Sequence, residues 1–221
     1  MVSKTLNVST ANGDTTARVV TPAGGSNKAV VIIHEWWGVN DHILDIAGRY
    51  ADEGFVAIAA DLYRGRTTKD KAEAGKLMHD LAIEDGIDTI SHTIAVASEE
   101  LGISHFGITG YCMGGTFALR SACEVEGVSA AAAFYGDIPD EEALEKLTVP
   151  TLFISGTRDE WINPEKVALL EMAVEKFELP VTSVKYNADH AFFNDTRPEV
   201  YDQTAASDAW ALVIGFFKDK L

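Results

Sequence analysis

The sequence predicts a doubly wound α/β fold, a mostly parallel sheet flanked by helices on both faces, from three observations. Six short runs dense in Val, Ile, Ala and Phe, bounded by Gly, Asp or Pro, have the length and composition of strands buried on both sides. Segments of helical period lie between them. Several of these segments stop at a glycine, the residue that most easily takes the left-handed conformation at a helix C-terminus.

Around Leu6 and at 18–20 the pattern suits an antiparallel strand pair. Buried parallel strands are expected at 29–34, 56–60, 105–110, 130–135, 151–155 and 182–186. Helices are expected at 42–52, stopping at Gly54, at 89–101, stopping at Gly102, and at 113–125, stopping before Gly127. The helix at 164–177 opens on Pro164, whose missing N–H is no loss in a first turn, and 201–220 is the last helix. No linker, repeat or low-complexity stretch interrupts the 221 residues, which read as a single domain over 1–221.

Acidic residues outnumber basic ones 34 to 18, so the averaged field repels nucleic acid and anionic lipid, and neither is expected as a partner. The charge itself reads as a solvated acidic surface. Cys112 and Cys123 stand eleven residues apart on one turn and helix, about 16 Å at the usual rise per residue, too far for a disulfide. With no CxxC or Cys/His cluster, neither a metal nor an organic cofactor is expected. The start Met-Val-Ser-Lys-Thr lacks an apolar run, and no apolar stretch approaches the roughly 20 residues of a membrane helix. The expectation is a cytoplasmic protein, a monomer or small homo-oligomer, acting on a small molecule.

In an open parallel sheet, ligands bind beyond the carboxyl ends of the strands, so the residues just after each apolar run carry the chemistry. After 105–109 comes Gly110-Tyr111-Cys112-Met113-Gly114-Gly115, then a helix: the nucleophile elbow, with cysteine in the serine position. The glycines let strand and helix approach closely around a strained nucleophile. A thiol there lies at a helix N-terminus, where free amides favour an anion. Without this setting Cys112 would read as an inert buried cysteine, as Cys123 does.

A nucleophilic thiol needs an imidazole, and His190 comes after the last strand; the imidazole needs an orienting acid, and Asp159 comes after the strand before. Asp189 competes with Asp159 but is the base's own neighbour along the backbone. The run at 29–34 leads into Glu35-Trp36-Trp37-Gly38-Val39-Asn40, where the backbone amide of Trp36, with that of Met113, is placed to form an oxyanion hole. Trp37 and Tyr135 are candidate pocket walls, although such rings also cap cores. Glu35 would oppose a thiolate unless it takes the thiol proton itself, which makes it a candidate second base.

Through Glu35-Trp36-Trp37-Gly38-Val39-Asn40, Asp61-Leu62-Tyr63, the Cys112 elbow, Asp159 and His190-Ala191-Phe192, the sequence resembles the dienelactone hydrolase (carboxymethylenebutenolidase) family, from about residue 15 onward. The resemblance implies an α/β-hydrolase fold, a Cys112–Asp159–His190 triad with Glu35 switching the thiol on, and opening of a carboxylate-bearing lactone through a thioester. It also exposes departures. Members that cleave dienelactone hold its carboxylate with an arginine and a tyrosine on one helix and an arginine four residues past the histidine. Lys71, Gly75 and Asn194 stand at those places here, leaving Lys71 and Asn194 as candidate substrate contacts and Arg197 and Arg64 as substitutes. A different lactone or a simpler activated ester is therefore expected. The rivals are an aryl-ester or thioester hydrolase with the same triad, and a non-catalytic ligand-binding or redox-sensing relative.

Overall fold

The computed structural model describes residues 1–221. Its strands are β1 (Val2–Thr10), β2 (Gly13–Thr21), β3 (Lys28–Ile33), β4 (Val56–Ala60), β5 (His105–Tyr111), β6 (Val128–Phe134), β7 (Thr151–Gly156) and β8 (Val181–Tyr186). They form one sheet in the order β1-β2-β4-β3-β5-β6-β7-β8. β1 and β2 pair antiparallel, and β2 runs antiparallel to β4. Every other pairing is parallel, so β3, β4, β5, β6, β7 and β8 all deliver their carboxyl ends to one edge.

The helices are α1 (Asp41–Asp52), α2 (Lys71–Asp80), α3 (Ile83–Leu101), α4 (Met113–Glu124), α5 (Glu141–Leu144), α6 (Pro164–Phe177) and α7 (Gln203–Lys220). Alternation along the strands divides the core in two. Val30 and Ile32 of β3 pack with Ile43 and Tyr50 of α1 and with Phe217 of α7. Val31 and Ile33 pack on the opposite face with Ile90 of α3, Leu119 of α4 and Leu170 of α6. Both sides of the strands are thus dry, as their uninterrupted apolar runs imply. No helix is long and apolar enough to cross a membrane.

The glycine stops hold: Gly102 caps α3 at φ 66°, and Gly54 and Gly127 also take positive φ. The largest departures from the sequence reading are in two helices. α3 begins at Ile83 rather than residue 89, its first turn carrying Glu84 and Asp85, whose charges suit a helix N-terminus. Gly86 obscures the helical pattern there, and packing explains it, because a Cβ would lie 2.2 Å from the Phe117 ring. The short α5, capped by the Asp140 side chain, has too little apolar periodicity to be read from sequence.

The sheet edge is crowded where β5 turns into α4. A Cβ on Gly110 would lie 2.0 Å from the Gly114 carbonyl oxygen, one on Gly114 would lie 2.2 Å from that of Ile33, and one on Gly115 would lie 2.2 Å from that of Phe134. Gly114→Ala is expected to lower the unfolding free energy by about 1–3 kcal/mol. Gly48→Ala, in α1 where nothing lies within 4 Å of the added carbon, should raise it by up to about 1 kcal/mol. Denaturant unfolding of the two variants checks the contrast.

Candidate active site

The backbone of Cys112 is held by main-chain bonds on both sides. The Cys112 amide donates to the Phe134 carbonyl at 3.1 Å, and the Cys112 carbonyl accepts from Thr116 at 3.2 Å as α4 begins. Cys112 sits at φ 56° and ψ −118°, outside the regions a side chain prefers. Met113 opens α4, where the amide has no intrahelical acceptor, and the Trp36 amide donates to no main-chain carbonyl. These are the two amides expected at the oxyanion position. The Met113 side chain is fixed from behind by the Tyr63 hydroxyl, 3.1 Å from Sδ.

His190 reaches back from the end of β8 across β7. Its loop passes so closely that a Cβ on Gly156 would lie 2.3 Å from the Ala188 carbonyl oxygen. His190 Nδ1 and Asp159 Oδ2 are 2.7 Å apart. The other carboxylate oxygen, Oδ1, accepts from the amides of Trp161 and Ile162, both at 2.8 Å. Asp159 is therefore buried yet well supplied with donors, and those donors and His190 hold it below the usual carboxylate range against the opposing effect of burial. Asp189, the competing acid, is committed elsewhere: both its oxygens accept from Arg158, at 3.0 and 3.3 Å.

His190 Nε2 is left without a hydrogen-bond partner. Burial disfavours a charged ring, but the bond to Asp159 and then the nearby Cys112 sulfur outweigh it and push His190 up to about 10. Glu35 is shifted for a different reason. Burial raises it to about 7, against the opposing pull of its hydrogen bond to Asn194 and the charges of Arg197 and His190.

The loop carrying Glu35 is pinned by His34, a residue the sequence reading gave no role. His34 Nε2 accepts from the Leu62 amide at 3.2 Å, so Nδ1 carries the proton and donates to the Glu35 carbonyl at 2.6 Å. Burial holds this ring below its usual value. Asp61 shapes the adjoining turn by accepting from the amides of Tyr63 and Gly65, which explains the Asp61-Leu62-Tyr63 motif structurally.

Glu35, Cys112 and His190 share a cavity of about 230 Å³. Trp36, Trp161 and Val200 supply apolar wall, and Lys71 and Arg197 supply positive charge. Lys71 and Arg197 also line an adjoining cavity of about 440 Å³, and there Trp37 and Asn194 are found. Tyr135 is buried against His190, with ring centroids 5.1 Å apart, and lines neither cavity. Arg64 lies elsewhere, bonded to Asp85 at 2.6 and 3.0 Å. Trp161 escaped the sequence reading: its ring lies 5.3 Å from His190 and 5.7 Å from Trp36, half exposed at the cavity mouth. Its nearness to Asp159 in sequence was the available signal. No three His, Cys, Asp or Glu side chains converge as a metal site.

The chemistry of this arrangement is that of a thiol flanked by an imidazole favouring its charged form and a carboxyl group that titrates near neutrality, with free amides alongside. Known proteins similar to this chain match it over nearly its whole length. Residues 15–221 match the family model described as "Dienelactone hydrolase family". "Protein usf" of Aquifex pyrophilus is 35% identical over 216 residues, covering 92% of each chain. The Aquifex aeolicus (strain VF5) protein called "Putative carboxymethylenebutenolidase" is 35% identical over 209 residues, 89% of this chain and 90% of its own. Among solved structures, the "Putative Dienelactone Hydrolase from Klebsiella pneumoniae subsp. pneumoniae MGH 78578" superposes with a TM-score of 0.88 at 25% identity, over 99% of both chains.

The strongest link in the geometry is the His190–Asp159 bond. Asp159→Asn should lower the titration of the His190 ring from about 10 toward the ordinary value of about 6.5, which NMR of the ring protons measures directly.

Proposed function

This chain belongs to the dienelactone hydrolase family, and from that premise we propose that it hydrolyses lactones or activated esters through a thioester formed on Cys112. One observation carries the reading: His190, tied to Asp159 at 2.7 Å through Nδ1, has its other nitrogen unpartnered in the cavity that holds Cys112 and Glu35.

His190 is protonated at neutral pH and is a poor acceptor for the thiol proton. Glu35 takes that proton, leaving a thiolate beside an imidazolium. The sulfur bonds to the substrate carbonyl carbon, and the amides of Trp36 and Met113 receive the negative oxygen. Collapse breaks the ester C–O bond, and the departing alkoxide or enolate takes the His190 proton. His190, now neutral, removes a proton from water, which attacks the thioester and releases the acid and the thiolate. Glu35 returns its proton to the sulfur.

A thiolate is itself a good leaving group and is expelled in preference to a poor alkoxide, so enol lactones and aryl esters suit this site better than plain alkyl esters. The cavity of about 230 Å³ fits a small acyl group, and Lys71 and Arg197 favour one carrying negative charge.

With p-nitrophenyl acetate and a lactone panel, Cys112→Ala and His190→Ala should each lose activity by about a thousandfold or more. Turnover that survives both substitutions would sink the reading. In the intact enzyme kcat/KM should rise as pH rises through about 7, because Glu35 must be ionised to accept the thiol proton. Glu35→Gln should abolish that limb of the profile.

A further inference from the structure

Glu35 is buried, and a single neutral group holds its carboxyl. Asn194, itself buried, donates from Nδ2 to Glu35 Oε2 at 2.6 Å. The amide has one satisfactory orientation, because Oδ1 accepts from the Thr196 amide at 3.0 Å and from the Thr196 hydroxyl at 2.6 Å. Turned over, it would set an NH2 against the Thr196 amide and a carbonyl against the carboxylate. Thr196 thus decides which end of Asn194 meets Glu35.

We propose that Asn194, locked by Thr196, is a positioning residue for Glu35: it holds the carboxyl group beside Cys112 with a donor that has no charge, so that Glu35 exchanges protons with the thiol instead of being fixed as half of an ion pair. The proposal rests on the reading of Glu35 as the group that accepts the thiol proton.

The surroundings of Glu35 fit this role. Arg197 and His190, from the segment after β8, favour its charged form. Tyr135, at the end of β6, and Cys112, at the elbow, face the same region, and Lys71 of α2 lines the shared cavity. His34, next to Glu35 in the chain, is turned away to Leu62. Arg197 is itself occupied, with Nε and Nη2 both 2.9 Å from Glu199 Oε1. Burial outweighs these influences and leaves the carboxyl group titrating at about 7. A guanidinium in place of the Asn194 amide would put a full positive charge at hydrogen-bond distance and keep Glu35 ionised through that range.

The proton count closes without an outside reagent. The Cys112 S–H bond breaks, an O–H bond forms on Glu35, and the electron pair left on sulfur makes the bond to the carbonyl carbon. An amide donor stabilises the ionised Glu35 and keeps its direction, yet allows it to be neutral after the transfer.

The test is the pH profile of kcat/KM for p-nitrophenyl acetate, with thermal melting to establish that each variant is folded. Asn194→Leu removes the donor, and the acidic limb should move to higher pH by about one unit or more. Thr196→Val keeps the shape but loses the hydroxyl that fixes the amide, so the limb should move the same way by less. Thr196→Ser should return it to the wild-type position, a rescue that a purely space-filling role for Thr196 does not give. If Glu35→Gln abolishes the limb while folded Asn194→Leu and Thr196→Val leave it unmoved, the positioning role is overturned and the base role of Glu35 stands. If Glu35→Gln leaves the limb in place, the base role fails and the positioning role fails with it. Should Asn194→Leu not fold, Thr196→Val against Thr196→Ser decides alone.

Discussion

The close approach of backbone to backbone at the β5–α4 turn is the constraint on which the site depends. Gly110, Gly114 and Gly115 each bring a chain segment to where a Cβ would lie within about 2.2 Å of a carbonyl oxygen. Gly136 closes the same contact from the other side, opposite Gly115. This density keeps Cys112, just past the end of β5, in a backbone conformation that a free chain would leave. It also starts α4 immediately at Met113, so an amide with no intrahelical partner lies beside the sulfur. The position of Cys112 and the free amide of Met113 both result from one packing decision, and neither can be altered without the other.

Around that turn, two ionisable groups are moved for different physical reasons. His190 is raised because a carboxylate and a sulfur favour its charge more than burial disfavours it. Glu35 is raised because burial disfavours its charge and only an amide and two more distant cations answer. The result is an imidazolium and a carboxyl group whose titrations are well separated, the condition under which one can donate while the other accepts. The sign of each effect depends on the partner supplied: Asp159 for the histidine, Asn194 for the glutamate.

Much of this arrangement was legible in the sequence because the doubly wound fold brings strand ends together in a predictable order. Six parallel strands reach one edge, and Glu35, Cys112, Asp159 and His190 are all found just past the end of an apolar run. In the fold Asp159 is the acid that meets His190, while Arg158 engages Asp189. Relations across the fold were not legible. Glu35 and Asn194 are 159 residues apart, and nothing in either local pattern pairs them. Asn194 therefore reads in the sequence only as a substrate contact, from the residue that occupies its place in relatives. His34 was hidden for a similar reason: a polar residue closing an apolar run shows its purpose only when the Leu62 amide is seen above it.

Under the proposed function, the distribution of these residues between rigid and looser parts of the fold separates reaction from specificity. Cys112 directly follows β5, Glu35 stands two residues past β3, and Asp159 is fixed by three donors, so the groups proposed to react inherit the rigidity of a core dry on both faces. Lys71 opens a helix, Trp161 is half exposed, and Arg197 and Val200 lie in the segment between β8 and α7. Residues of the second kind can change without disturbing the turn at Cys112, because none contributes to its backbone packing. An acidic chain that nonetheless places Lys71 and Arg197 in one cavity concentrates positive charge where its averaged field is negative. Under the proposed function, that local reversal would confine attraction for an anionic substrate to this cavity, and so act on which ester enters more than on how the thiol attacks it.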